Sequence, residues 1–181
     1  MIRAIFLDRD GVINKAATKS GIPHPPKSLG ELELLPGVVD AVLVLKKLGL
    51  KIIVITNQPD VSRGTASKES VESINSFLGA SLGIDVFYVC FHDDADGCFC
   101  RKPNPGMLIS AAKTYNVDLT ESFLVGDRWR DISAGQAVGC LCYFIDYSYL
   151  EKRPIGRYVS VSSLLEAAKD IERKYSETQI E

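Results

Sequence analysis

Short runs of contiguous apolar, often β-branched residues alternate along the chain with segments in which apolar positions recur every three or four residues. Residues 2–7, 52–55, 86–89, 123–125 and 140–145 are of the first kind and read as strands buried on both faces. In the second kind, Pro36-Gly37 opens a helix whose stripe is Val38, Val42, Leu45 and Leu48, and Gly49 closes it. Ser67 caps a helix with Val71, Ile74, Leu78 and Leu82 on one side. Asn104 and Pro105 read as the cap and first position of another, with Leu108, Ala111, Ala112 and Tyr115 inward. A short helix is expected over 131–137, and Ser163 with Glu166 makes a capping box for the last helix. Strand and helix alternate throughout, which implies an α/β fold with a parallel sheet and helices on both faces.

Composition narrows the classes. The 181 residues are 46% hydrophobic and 24% charged, which fits one domain spanning 1–181. A formal net charge of −2 offers no broad basic field for a nucleic acid. The apolar runs are far shorter than a membrane span, so no membrane association is expected. The N-terminal residues lead directly into an acidic cluster without the layout of a signal peptide, and a cytoplasmic protein is expected. The longest loop covers residues 14–35, with Pro23, Pro25 and Pro26 around His24; a loop of that length in so small a chain points to function. The tail after Tyr175 is polar and expected to fray.

Five cysteines are present, and an odd number argues against a disulfide framework. Cys90, His92, Cys98 and Cys100 fall within eleven residues and supply the donor set of one tetrahedral zinc. Such a site has no open position for water, so the zinc is expected to be structural. Cys140 and Cys142 lie in an apolar strand and read as packing residues.

The ends of the expected strands carry the remaining chemistry, and ligands of open α/β sheets bind at the carboxyl ends. The first ends in Asp8-Arg9-Asp10-Gly11, the second in Thr56-Asn57-Gln58, and the fourth in Gly126-Asp127-Arg128-Trp129-Arg130-Asp131. The cysteine-rich loop after the third leads into Arg101-Lys102-Pro103. Asp8 and Asp10, two positions apart on an extended segment, share a side. Two like charges there cost stability unless a cation joins them.

These four ordered motifs resemble the haloacid dehalogenase superfamily of phosphatases, over residues 2–145. The Cys-x-His…Cys-x-Cys-Arg-Lys-Pro segment is similar to the zinc-containing subfamily of heptose bisphosphate and histidinol-phosphate phosphatases. The resemblance implies the Rossmann-like fold of that superfamily, with Asp8 as nucleophile of an aspartyl-phosphate mechanism and Asp10 as general acid and base. It implies Mg2+ held by Asp8, Asp127 and the backbone carbonyl of Asp10, and Thr56 and Lys102 on the transferring phosphoryl oxygens. Asn57, Gln58, Arg101 and Arg128 would bind substrate, and Asp131 would hold a metal-bound water, orient Lys102, or only cap a helix. Zn2+ in the cysteine loop would set Arg101 over the substrate. The expected partner is a small phosphate ester, D-glycero-D-manno-heptose 1,7-bisphosphate cleaved at its 7-phosphate, with histidinol phosphate or another sugar phosphate as the alternative. A monomer is expected.

No interval between motifs is long enough for a large cap domain, so the 14–35, 59–64 and zinc loops must form the rim, with Arg63 as a further cation. Two departures from the heptose bisphosphate pattern stand out: Pro59-Asp60 follows Gln58 where Ser-Gly is usual, and Arg128 replaces a lysine. Trp129 reads as an exposed helix-start aromatic and His24 as a loop residue. A phosphorylated receiver domain also uses Asp, Thr, Lys and Mg2+, but its phosphorylated Asp belongs on the third strand, which here ends in zinc donors.

Overall fold

Alternate side chains of each central strand feed two separate cores. In the computed structural model, which describes residues 1–178, strand β1 (Ala4–Leu7) sends Ile5 and Leu7 to one face of the sheet and Ala4 and Phe6 to the other. Strand β1 is followed by a hairpin of β2 (Ala17–Lys19) and β3 (Ile22–His24), then α1 (Val38–Lys47), β4 (Lys51–Asn57), α2 (Lys68–Leu82) and β5 (Phe87–Cys90). The chain continues through α3 (Gly106–Tyr115), β6 (Phe123–Gly126), α4 (Trp129–Gln136), β7 (Leu141–Ile145), β8 (Val159–Val161) and α5 (Leu164–Thr178). The expected polar tail past Tyr175 lies in part outside the described residues.

Six strands form one sheet in the order β5-β4-β1-β6-β7-β8, and every pairing is parallel. This is the Rossmann arrangement expected from the alternation, with α1, α2 and α5 on one face and α3 and α4 on the other. The chain runs outward from β1 to β4 and β5, then returns to the other side of β1 as β6. The topological switch point therefore lies between β1 and β6, which sets a crevice at their carboxyl ends. Asp8 and Asp127 directly follow these two strands. Among the described residues no helix is long and apolar enough to cross a membrane.

The expected elements form with small shifts that have physical causes. Ser67 caps α2 as anticipated, its Oγ accepting the Ser70 amide at 3.1 Å. Helix α3 starts one residue later than the Asn104-Pro105 pattern suggests, because the Asn104 amide is engaged elsewhere, donating to the Cys98 carbonyl at 2.9 Å. Helix α4 begins at Trp129 rather than 131, because the Asp131 carboxylate accepts the Arg128 amide at 3.0 Å and so caps the helix from its third position. In α5, Ser163 Oγ accepts the Glu166 amide, but Glu166 Oε2 reaches back to the Ser162 amide. Cys140 and Cys142 pack in the core beneath α4; burial pushes both thiols up to about 12, so they stay protonated and inert. The hairpin within the 14–35 loop and the short edge strand β8 carry no sequence periodicity long enough to announce them.

Candidate active site

Strand ends from four parts of the sequence meet at one pocket. It holds about 60 Å³ and is lined by Asp8, Asp10, Thr56, Asn57, Lys102, Arg128, Arg130 and Asp131, with Ala16 and residues 23–25 of the hairpin on one side.

Lys102 is the hub. Its Nζ lies 2.8 Å from Asp8 Oδ1 and 2.5 Å from Asp131 Oδ1, and donates to the Ile55 carbonyl at 2.9 Å. Burial works against the ammonium, but Asp131 and Asp8 outweigh it and hold its pKa above the lysine range. Asn57 fixes the backbone beneath it: Asn57 Nδ2 donates to the Lys102 carbonyl at 3.0 Å and Asn57 Oδ1 accepts the Lys102 amide at 3.1 Å. The amide thus clamps the lysine loop to the end of β4.

The acidic cluster is larger than one lysine can neutralise. Oxygens of Asp8, Asp127 and Asp131, all three buried, lie within 4.8 Å of one another. Burial pushes Asp8 up to about 6, with the Lys102 charge opposing and Asp131 and Asp10 adding to the rise. Burial and the Asp8 and Asp131 charges drive Asp127 upward as well. Asp127 Oδ1 is buried without a hydrogen-bond partner, while Oδ2 accepts the Tyr149 hydroxyl at 3.0 Å. A crowded oxygen cluster with one orphaned oxygen fits a divalent hard cation. Gly11, at φ +90°, lets the chain after Asp10 pass against Asp127, where a Cβ would overlap Oδ2.

Asp10 is held by donors alone. Arg9 Nε and a terminal nitrogen reach its carboxylate at 3.0 to 3.3 Å, Asn14 Nδ2 at 3.0 Å and Gln58 Nε2 at 2.7 Å. Arg9 is fully buried and braced by Asn75 of α2, whose Oδ1 accepts from it at 2.9 Å. Gln58 also donates to Thr56 Oγ1 at 2.9 Å. Gln58, expected to touch substrate, is 2% exposed and does not line the pocket; its amide nitrogen joins Asp10 to Thr56.

Arg101 likewise does not line the pocket. Its Nε binds Asp94 Oδ1 at 2.9 Å and a terminal nitrogen donates to the His92 carbonyl at 3.2 Å. Arg63 is turned to Asp93 and Asp60. Arg128 lines the pocket while paired with Glu151. Arg130, passed over in the sequence, lines it too, with two guanidinium nitrogens 2.9 and 3.3 Å from the carboxylate of Asp94. His24 is in β3, not in irregular loop, and faces the pocket from the hairpin. Trp129 is half-buried between cations, with Lys152 Nζ 3.5 Å from its ring centre.

Beside the pocket, Cys90, His92, Cys98 and Cys100 converge. Cys90 Sγ lies 3.6 Å from both His92 Nδ1 and Cys98 Sγ, and Cys100 Sγ lies 3.3 to 3.4 Å from the other three donors. A tetrahedral zinc with arms of about 2.3 Å would spread its ligand atoms about 3.7 Å apart, so the cluster fits that ion.

The haloacid dehalogenase-like hydrolase family model matches residues 27–139. The D-glycero-β-D-manno-heptose-1,7-bisphosphate 7-phosphatase of Escherichia coli K12 is 36% identical over 148 residues, covering 75% of this chain and 74% of that protein. The enzyme of the same name from Photorhabdus laumondii is 35% identical over 145 residues, covering 74% of each. Among solved structures, the D,D-heptose 1,7-bisphosphate phosphatase of B. bronchiseptica, complexed with magnesium and phosphate, superimposes with a TM-score of 0.83 at 29% identity, over 96% of this chain and 99% of that one.

Proposed function

The chain belongs to the haloacid dehalogenase-like hydrolase family, and from that premise we propose that it is a phosphatase that uses Asp8 to remove the 7-phosphate of D-glycero-D-manno-heptose 1,7-bisphosphate. The observation that carries this reading is the Lys102 ammonium 2.8 Å from Asp8 in the pocket at the strand ends, beside a carboxylate cluster with an orphaned oxygen.

A carboxylate oxygen of Asp8 attacks phosphorus, and the bond from phosphorus to the ester oxygen breaks. Asp10 gives its proton to the departing alkoxide, then takes a proton from the water that attacks the aspartyl-phosphate, releasing inorganic phosphate and free Asp8. Arg9, Asn14 and Gln58 keep the Asp10 carboxylate aimed into the pocket for both transfers. Lys102 and Thr56 meet the charge that develops on the transferring oxygens, from positions fixed before substrate arrives. Mg2+ held by Asp8, Asp127 and the Asp10 carbonyl would neutralise the repulsion between nucleophile and phosphoryl group. Zn2+ held by Cys90, His92, Cys98 and Cys100 would cross-link the loop that carries Arg101 and Asp94, a structural role because no coordination position remains.

The rim suits a second anionic group. Arg128 and Arg130 stand at the pocket edge, so a substrate with one phosphate on the floor can offer another to them. This favours a bisphosphate over histidinol phosphate, which has an ammonium and an imidazole at its other end. The test is turnover with Mg2+ on heptose 1,7-bisphosphate, heptose 7-phosphate, histidinol phosphate and a panel of sugar monophosphates. The bisphosphate should lead in kcat/KM by at least about tenfold, a difference of about 1.4 kcal/mol. Faster hydrolysis of histidinol phosphate would overturn the substrate assignment and leave the phosphatase chemistry in place.

A further inference from the structure

The segment after β7 touches three walls of the site with three consecutive residues. Tyr149 donates its hydroxyl to Asp127 Oδ2 at 3.0 Å. The Leu150 amide donates to the Gly21 carbonyl at the hairpin tip at 2.9 Å. Glu151 pairs with Arg128 at 2.5 Å. None of the sequence motifs includes this segment.

We infer that Tyr149 is a positioning residue for the divalent-cation site: its hydroxyl holds one oxygen of Asp127 so that the orphaned oxygen stays directed at the cation. The inference rests on the proposed role of Asp127 as a cation ligand. A carboxylate with one free oxygen can turn about its last torsion, and that rotation is broad and soft. Tyr149 removes the freedom from one side, and Gly11 packs against the same Oδ2 from the other. Oδ1 is left buried and unpaired, a state that is costly without a ligand. Hydrogen bonds of this kind to the groups that bind a metal typically change affinity by about 10- to 100-fold.

The segment has its own anchors, so Tyr149 does not depend on the cation for its place. The Ser148 amide donates to Asp146 Oδ1 at 2.8 Å, Arg153 pairs with Asp146, and the Tyr147 and Tyr149 rings meet with centroids 5.5 Å apart. Tyr147 is 41% exposed, and no hydrogen bond from it to Asp127 is seen, which makes it the internal control.

The test is Mg2+ binding by calorimetry to the whole protein without substrate, in wild type, Tyr149→Phe and Tyr147→Phe. Phenylalanine keeps the ring and its packing, so the variant folds. Tyr149→Phe should weaken Mg2+ binding about tenfold or more, while Tyr147→Phe binds as wild type does. Equal Mg2+ affinity in wild type and Tyr149→Phe would overturn the inference while leaving the cation site intact. Absence of Mg2+ binding in all three would overturn the cation reading itself and this role with it.

Discussion

Asp131 Oδ1 sits 2.5 Å from Lys102 Nζ while the other oxygen of the same carboxylate caps α4 by accepting the Arg128 amide at 3.0 Å. One side chain therefore starts a helix and aims the ammonium that faces Asp8. The two functions separate chemically. Asp131→Asn keeps an oxygen for the cap but removes the charge that fixes Lys102, so kcat should fall by about tenfold or more, since each oriented donor to a developing oxyanion contributes on that scale or above. The melting temperature should shift by only a few degrees, because the cap survives. Steady-state kinetics beside a thermal melt decides it: unchanged kcat would mean that Asp131 serves the helix alone.

Asp8 is held in its place at the expense of stability. Its folded pKa is raised to about 6 by burial, above the ordinary carboxylate value. A raised pKa means the folded state binds the proton more tightly than the unfolded chain, so its stabilising contribution is complete at low pH and is lost as pH rises from about 4 through about 6. At neutral pH the metal-free protein therefore carries a penalty at this group. Asp8→Asn should abolish phosphatase activity and raise the melting temperature of the metal-free protein at pH 7 by several degrees, with the gain shrinking toward pH 4. Added Mg2+ should narrow the difference by stabilising the wild type. A variant that melts lower than wild type at pH 7 would contradict this account of the site.

The cysteine cluster should behave as a fold-stabilising metal site. Freshly purified protein should carry one zinc per chain by elemental analysis, and chelation should lower its melting temperature while exposing Cys98 and Cys100 to thiol reagents first, because Cys90 is fully buried. Cys100→Ser should lose the metal and loosen the loop, with Asp94 no longer fixed against Arg101 and Arg130. Protein that elutes without zinc and melts identically with and without chelator would refute the site.

How much of this was legible in the chain depends on the range of the interactions. The strand ends were readable because Asp8, Thr56 and Asp127 each follow an apolar run, and a parallel sheet brings such ends to one edge whatever the loops do. The convergence of Cys90, His92, Cys98 and Cys100 was readable because they are close in sequence. That Gln58 points inward was not legible, because nothing in a sequence says that an amide two positions after Thr56 will fold onto Asp10. Tyr149 and Asn75 were invisible for a related reason: they reach the site across 22 and 66 positions, from a loop and from a helix face that otherwise reads as packing. Arg130 was in plain view two residues after Arg128, but its direction depends on where α4 begins, and that start was misjudged by two residues.

Arg130 gives the sharpest test of which arginine reads the substrate. Arg101 is tied down by Asp94 and the His92 carbonyl and lies off the pocket, whereas Arg130 lines it and is held at the same Asp94. If the rim recognises a second anionic group through Arg130, Arg130→Gln should raise KM for a bisphosphorylated sugar by about tenfold, near 1.4 kcal/mol of lost binding, and leave KM for p-nitrophenyl phosphate within about twofold. Arg101→Gln should instead act through the loop, lowering thermal stability and affecting both substrates alike. The mono- and bisphosphate pair compared in both variants separates the two outcomes: an equal rise of KM for both substrates in Arg130→Gln would assign that arginine to holding the loop, and the second phosphate would have to be met by Arg128 alone.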